Sequence, residues 1–164
     1  MKLLTFIALI LSGCAATIVV IPPAEDLASD VVASRSLWNK LSPQDYRYEF
    51  NAAGGLCSSP SVMITVRGDE VTAVTYADNG TDCYSRRPYK KGRSALPQYS
   101  SRSHTFDDLF DRLESCTDTC VVQSATFHPT YGFPVKFTIV SVSKNGIEIE
   151  DASYVGVTSS FEIL

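Results

Sequence analysis

Histidines, cysteines and clustered carboxylates are the side chains able to do chemistry here, and their spacing limits what that chemistry is. His104 and His128 are the only two histidines. Neither has a cysteine or carboxylate cluster at ligand spacing, and a zinc site needs three or four ligands. No metal and no cofactor is expected, and His128, beside Pro129, reads as a turn residue. Cys116-Thr117-Asp118-Thr119-Cys120 places three residues between its thiols, where redox pairs carry two; a structural disulfide is expected. Asp107, Asp108, Asp111 and Glu114 gather carboxylates as acid–base catalysis would require, yet capping and a solvated helix face already account for them. No serine lies in a nucleophile elbow and no Gly-rich phosphate loop occurs. Arg67-Gly68-Asp69 spells an adhesion tripeptide and is also simply the turn a hairpin needs. No catalytic residue is assigned, and the chain is read as not being an enzyme.

The cations are distributed unevenly. Arg86-Arg87-Pro88-Tyr89-Lys90-Lys91-Gly92-Arg93 sets an aromatic among five positive charges. From Ala77 to His104 the formal charge is +4, against −9 for the rest of the chain after residue 13. Such segregation says more than the net charge does. This 28-residue stretch shows no convincing periodicity, and long unstructured loops are usually functional or disordered. It is either a mobile, solvated insertion or a docking surface for anionic lipid headgroups, anionic glycan or an acidic protein. His128 and Tyr131, on a second loop, are the other candidate binding residues.

The address comes from the N-terminus. Met1-Lys2 supplies a positive charge and residues 3–11 an apolar run, the layout of a secretory signal. Leu11-Ser12-Gly13-Cys14 then resembles the lipobox of bacterial lipoproteins, in which the Cys14 thiol accepts a diacylglyceryl group. Residues 1–13 are read as signal peptide and 14–23 as a lipidated tether. Acyl chains would then hold the protein to a membrane at about 0.8 kcal/mol per buried CH₂. Because Ala15 to Ile21 continues the apolar character, residues 3–21 also fit one uncleaved transmembrane helix. Either way the rest faces the periplasm or exterior of a bacterial envelope, at the outer membrane if the cell is diderm. In that compartment nucleic acid is not an expected partner, and Asn79-Gly80-Thr81 is not read as a glycosylation site.

Of the 164 residues, removal of the first 13 leaves 151, enough for one domain with a sizeable core. Cys57, Cys83, Cys116 and Cys120 remain, an even number that in an oxidising compartment means two disulfides. Three pairings are possible; the hairpin register described next favours Cys57 with Cys83, leaving Cys116 with Cys120.

The elements that must position these residues are legible by period. After the stiff Pro22-Pro23 break, Leu27, Val31, Ser34, Trp38 and Leu41 fall on one face of a helix over Ala24 to Leu41, ended by Ser42-Pro43. Tyr46, Tyr48 and Phe50 alternate with Arg47, Glu49 and Asn51 in a half-buried strand. Ser61–Arg67 and Glu70–Tyr76 form a hairpin around Gly68-Asp69, expected as a type II′ turn with Val66 opposite Val71 and Ile64 opposite Ala73. Extending that register brings residue 57 near residue 80, hence near Cys83. Thr105-Phe106-Asp107-Asp108 is a capping-box-like helix start, with Phe106, Leu109, Phe110 and Leu113 as the buried stripe. Val121–Phe127, Phe133–Val142 and Tyr154–Ile163 read as strands, with Lys144-Asn145-Gly146 a turn. The sum is an α+β fold over residues 24–164: an antiparallel sheet, built of a meander, a hairpin and a final strand, with helices packed on one face.

Trp38, Tyr46-Arg47-Tyr48, Cys57, Val66-Arg67-Gly68, Val71, Thr105 to Phe110 and Phe127-His128-Pro129-Thr130-Tyr131-Gly132-Phe133-Pro134 together resemble the bacterial lipoprotein family called domain of unknown function 6174, over roughly Leu37 to Asp151. The resemblance implies a small envelope-anchored domain and no activity. The basic insertion after Cys83 and the Cys116/Cys120 pair depart from it. The reading is an envelope-anchored lipoprotein with a non-enzymatic binding or accessory domain. Its partner would be an anionic envelope component or another envelope protein. The alternative is an inhibitor of a hydrolase, lysozyme or protease, presented on the envelope.

Overall fold

The structure, a computed structural model, describes residues 25–54, 57–83, 85–96, 104–142 and 148–164, with backbone alone for 25, 57–58 and 148–152. The signal segment, Cys14, the Pro22-Pro23 break and the Lys144-Asn145-Gly146 turn lie outside the described residues. Among the described residues no helix is long and apolar enough to cross a membrane.

Helix α1 (Glu25–Leu41) leads into β1 (Asp45–Gly54), β3 (Val62–Arg67) and β4 (Glu70–Tyr76), with the two-residue β2 (Cys57–Ser58) folded back on the end of β1. Then come β5 (Gly80–Thr81), β6 (Pro88–Tyr89), α2 (Phe106–Glu114), β7 (Cys120–Phe127), β8 (Pro134–Val142) and β9 (Glu148–Ile163). The main sheet runs β4-β3-β1-β9-β8-β7, antiparallel throughout, and β5-β6 is a separate ladder. Meander and hairpin are therefore not neighbours in the sheet. The final strand lies between them, pairing with β1 on one side and β8 on the other.

Alternation along β1 decides the faces. Tyr46, Tyr48 and Phe50 are buried, whereas Arg47 is exposed. Both helices cover the buried face. Trp38 of α1 sets its ring edge-on to Tyr46, Phe106 and Phe133 at 5.0–6.1 Å between centroids. Phe106 stacks on Tyr48 at 4.3 Å and on Phe133 at 4.5 Å. The α2 cap forms as its residue types require. The Thr105 hydroxyl accepts from the Asp108 N–H, and the Asp108 carboxylate accepts from the Thr105 N–H at 2.7 Å. The buried stripe is Phe106, Leu109, Phe110 and Leu113. Tyr46 extends this cap across the core, its phenol oxygen accepting the Phe106 N–H at 3.2 Å; burial pushes that phenol well above its usual range. Among the described residues the buried core cluster runs from Val31 to Ile139.

Four details depart from expectation. Leu41 is 43% exposed, because the helix ends there, beyond the sheet it covers. Gly68 and Asp69 both take positive φ, 51° and 66°, which makes the turn type I′ rather than II′; aspartate tolerates this left-handed conformation. Arg67 opposite Glu70 and Val66 opposite Val71 are found, but a bulge shifts the ladder so that Ile64 faces Val74 and Thr65 faces Ala73. Finally, Cys57 does not continue that hairpin. The β3–β4 ladder ends at Val62 opposite Tyr76, and the chain at Cys57 pairs with Gly54 instead.

Candidate functional site

The largest departure concerns the basic stretch. The described part of it is folded, not a loop without structure. After Tyr76 the chain makes the β5–β6 ladder, Gly80 opposite Tyr89 and Thr81 opposite Pro88. Buried Asp82 holds its turn: a side-chain oxygen accepts the Ser85 N–H at 2.6 Å, its carbonyl accepts the Arg86 N–H, and its own N–H donates to the Arg87 carbonyl. Arg86 takes the left-handed conformation at φ 58°. The chain then runs back along β4. The Gly92 N–H donates to the Tyr76 carbonyl, the Tyr76 N–H to the Arg93 carbonyl, and the Ala95 N–H to the Val74 carbonyl, with Ser94 bridged to Thr75. Ala95 is buried. The free edge of β4 is thereby covered, a protection that exposed sheet edges require.

The five cations are treated alike and Tyr89 differently. Arg86, Arg87, Lys90, Lys91 and Arg93 are exposed, and none of them is in an ion pair among the described residues, where Arg35, Arg47 and Arg67 supply the cations. Tyr89 is half-buried, its ring stacked on Tyr76 at 4.6 Å. It acts as the bolt that pins the hairpin to the sheet and does not stand among the cations as a free aromatic face. Composition identified the charges, but nothing in it showed that they would share one pinned hairpin.

The second candidate is the β7–β8 turn. The His128 N–H donates to the Phe133 carbonyl and the Gly132 N–H to the His128 carbonyl, each at 2.8 Å. His128 Nδ1 faces the Thr130 and Tyr131 N–H groups, both at 3.3 Å. The imidazole stacks on Phe133 at 4.6 Å and lies 5.4 Å from Tyr131. His128 is thus a turn residue, as its place beside Pro129 suggested. Thr158, Ser160 and Phe161 of β9 gather beside this turn; none of them was singled out from sequence, because the bulge that brings them together leaves no composition signal.

The remaining candidate carboxylates have structural partners. Asp107 accepts from Trp38 Nε1 at 3.3 Å, Asp108 belongs to the cap, and Asp111 and Glu114 both pair with Arg35 of α1. His104 rests edge-on to Phe50, and its carbonyl accepts the Tyr48 hydroxyl. Burial and the nearby Arg112 lower its pKa. Cys116 and Cys120 are joined in a disulfide, and Cys83 is disulfide-bonded as well; the Cys57 side chain expected opposite it lies outside the described residues. Among the described residues no group of three or more His, Cys, Asp or Glu side chains is placed to hold a metal ion. An apolar groove of about 440 Å³ runs between α1 and β7 over Leu27, Val31, Val121 and the disulfide. Its one carboxylate, Glu114, is held by Arg35.

Fold and site together define a small α+β domain: a one-sided antiparallel sheet under two helices, with a cationic hairpin sealing one edge. The model of a family of unknown function, DUF6174, matches residues 30–158, and the chain belongs to that family. No curated protein and no solved structure matches the chain.

Proposed function

We propose that this protein is a bacterial envelope lipoprotein whose domain is a non-enzymatic binding module, docking through its cationic hairpin on anionic lipid headgroups. The observation that carries the reading is five exposed cations, unpaired among the described residues, on one hairpin pinned along β4. Charges on a pre-ordered ladder lose little conformational freedom on binding. The anchor is supported by Leu11-Ser12-Gly13-Cys14, and the disulfide-bonded Cys83, Cys116 and Cys120 fit an oxidising compartment. A tether of residues 14–23 reaches at most about 35 Å when fully extended, which keeps the hairpin near the surface that holds the lipid.

Two experiments test this. Cys14→Ser in the full chain is expected to abolish lipid attachment, lowering the apparent mass of the mature form and moving it out of the membrane fraction. Unchanged mass and fractionation would reject the anchor. Separately, residues 24–164 are expected to bind anionic vesicles and to ignore zwitterionic ones. Each cation near a charged surface contributes about 1 kcal/mol. Replacing all five with Gln should therefore weaken binding by about three to four orders of magnitude, and added salt should weaken the wild type far more than the variant. Salt-independent binding, or none, would reject the hairpin's role. The alternative, a hydrolase inhibitor, draws on the rigid hydrogen-bonded turn from His128 to Gly132; stoichiometric loss of lysozyme or protease activity on adding the domain would favour it.

A further inference from the structure

β8 and β9 part company partway along. Their pairing extends to Lys136 opposite Val157. Beyond that point β8 stays with β7, reaching Phe127 opposite Pro134, while β9 stays with β1, reaching Tyr46 opposite Ile163. The fork leaves an open cleft of about 270 Å³ between the His128–Phe133 turn and the end of β9. Residues three apart on a strand face opposite sides, so Thr158 and Phe161 should not share a wall. They do, because β9 bulges: Arg47 opposes Glu162 but Glu49 opposes Ser159, and Ser160 sits at φ 51°, strained for a residue with a side chain. The bulge turns Phe161 to the same side as Thr158. There it meets Phe133 at 4.6 Å.

Phe133, Phe161, the His128 ring and Val135 form the apolar part of the lining, and Thr158 with the exposed Ser159 and Ser160 forms the rest. No charged side chain lines the cleft. Two polar groups stand out. Thr158 is 4% exposed, and its hydroxyl is buried without a hydrogen-bond partner among the described residues. A buried hydroxyl left unmatched is a standing cost to the fold, and such groups call for an explanation. His128 has its Nδ1 taken up by the turn, so the neutral ring carries its hydrogen on Nε2 as a donor. Apolar walls with a few placed polar groups are the general make-up of a small-molecule site.

We infer that the β8/β9 fork is a binding site for a small, neutral, flat ring compound bearing one hydroxyl or carbonyl group. The ring lies among Phe133, Phe161 and His128, and its polar group completes the Thr158 hydroxyl. The site is independent of the anchor and of the cationic hairpin.

The test uses p-cresol as probe, toluene as its hydroxyl-free counterpart, and residues 24–164 observed by amide NMR and thermal melting. Saturable p-cresol binding is expected, with shifts concentrated at Val135 and at 158–161, and toluene should bind at least about tenfold more weakly. Thr158→Val keeps the shape and removes the hydroxyl. Without probe it should raise Tm by about 2–4 °C, and it should lose at least about tenfold in p-cresol affinity. Thr158→Ser should retain binding. The inference is overturned by an absence of saturable binding, by toluene binding as tightly as p-cresol, or by unchanged affinity in Thr158→Val. A lowered Tm in Thr158→Val would overturn it as well, since the hydroxyl would then be satisfied without a ligand, by ordered water.

Discussion

Phe106→Ala is expected to destabilise the domain by about 3–5 kcal/mol, the range for deleting a buried phenylalanine. Small domains hold only about 5–15 kcal/mol in total, so this one change should bring the protein near its unfolding threshold. The reason is where the ring sits. Phe106 is fully buried and lies between sheet and helices. It stacks on Tyr46, Tyr48 and Phe133 and meets Trp38 edge-on at 5.0 Å. It is also the first residue of α2, and its N–H is bound by the Tyr46 phenol oxygen. Removing the ring therefore opens a void where β1, α1, α2 and the His128–Phe133 turn all meet. Trp38 is the single tryptophan, so urea unfolding followed by its fluorescence reads this region directly. Phe106→Leu, which conserves more of the volume, should cost clearly less. A loss below about 1.5 kcal/mol for the alanine variant would mean that neighbouring rings refill the space.

Gly132→Ala should cost about 3 kcal/mol or more, for two reasons that add. The residue stands at φ 81°, where an L side chain is strained. A Cβ there would also sit 2.3 Å from the Ser34 carbonyl oxygen and 3.1 Å from Leu37 Cβ. The oxygen belongs to the backbone of α1 and cannot swing aside, so the turn must lift off the helix. Gly68 separates the two contributions. It stands at φ 51° with nothing within 4 Å of an added Cβ, so Gly68→Ala carries the conformational strain alone, about 1 kcal/mol. The difference between the variants, by urea denaturation, measures the close approach of turn and helix. Equal losses would show that the contact with α1 carries no weight.

That glycine marks how much of the molecule was open to reading. The motif Tyr131-Gly132-Phe133-Pro134 stood out as a turn, yet its dependence on Ser34, about a hundred positions earlier in the chain, has no local sign. The α2 cap and stripe were legible because every interaction in them spans three or four residues. β1 was legible because its period of two repeats along one segment. The β3–β4 turn was placed correctly, but its bulge was not, since one extra residue shifts the register without altering composition. The basic stretch misled for a related reason. Its contacts with β4 run through backbone groups at Gly92, Arg93 and Ala95, and backbone pairing leaves no side-chain pattern to read.

The sequence by itself determined the types of the two helices and of the longer strands, the buried faces of β1 and α2, membership of an α+β class, and the stretch in which positive charge is concentrated; it favoured the Cys116–Cys120 pairing without fixing it. These follow from local periodicity, capping and residue chemistry. Only the tertiary structure decided that β9 enters the middle of the sheet, that the cations ride on a hairpin pinned by Tyr89, and that Thr158, Phe161, Phe133 and His128 line one cleft. Those outcomes depend on which distant strands pair and where they diverge. They are settled by the summed burial of the whole core and by backbone hydrogen bonds that every residue offers alike.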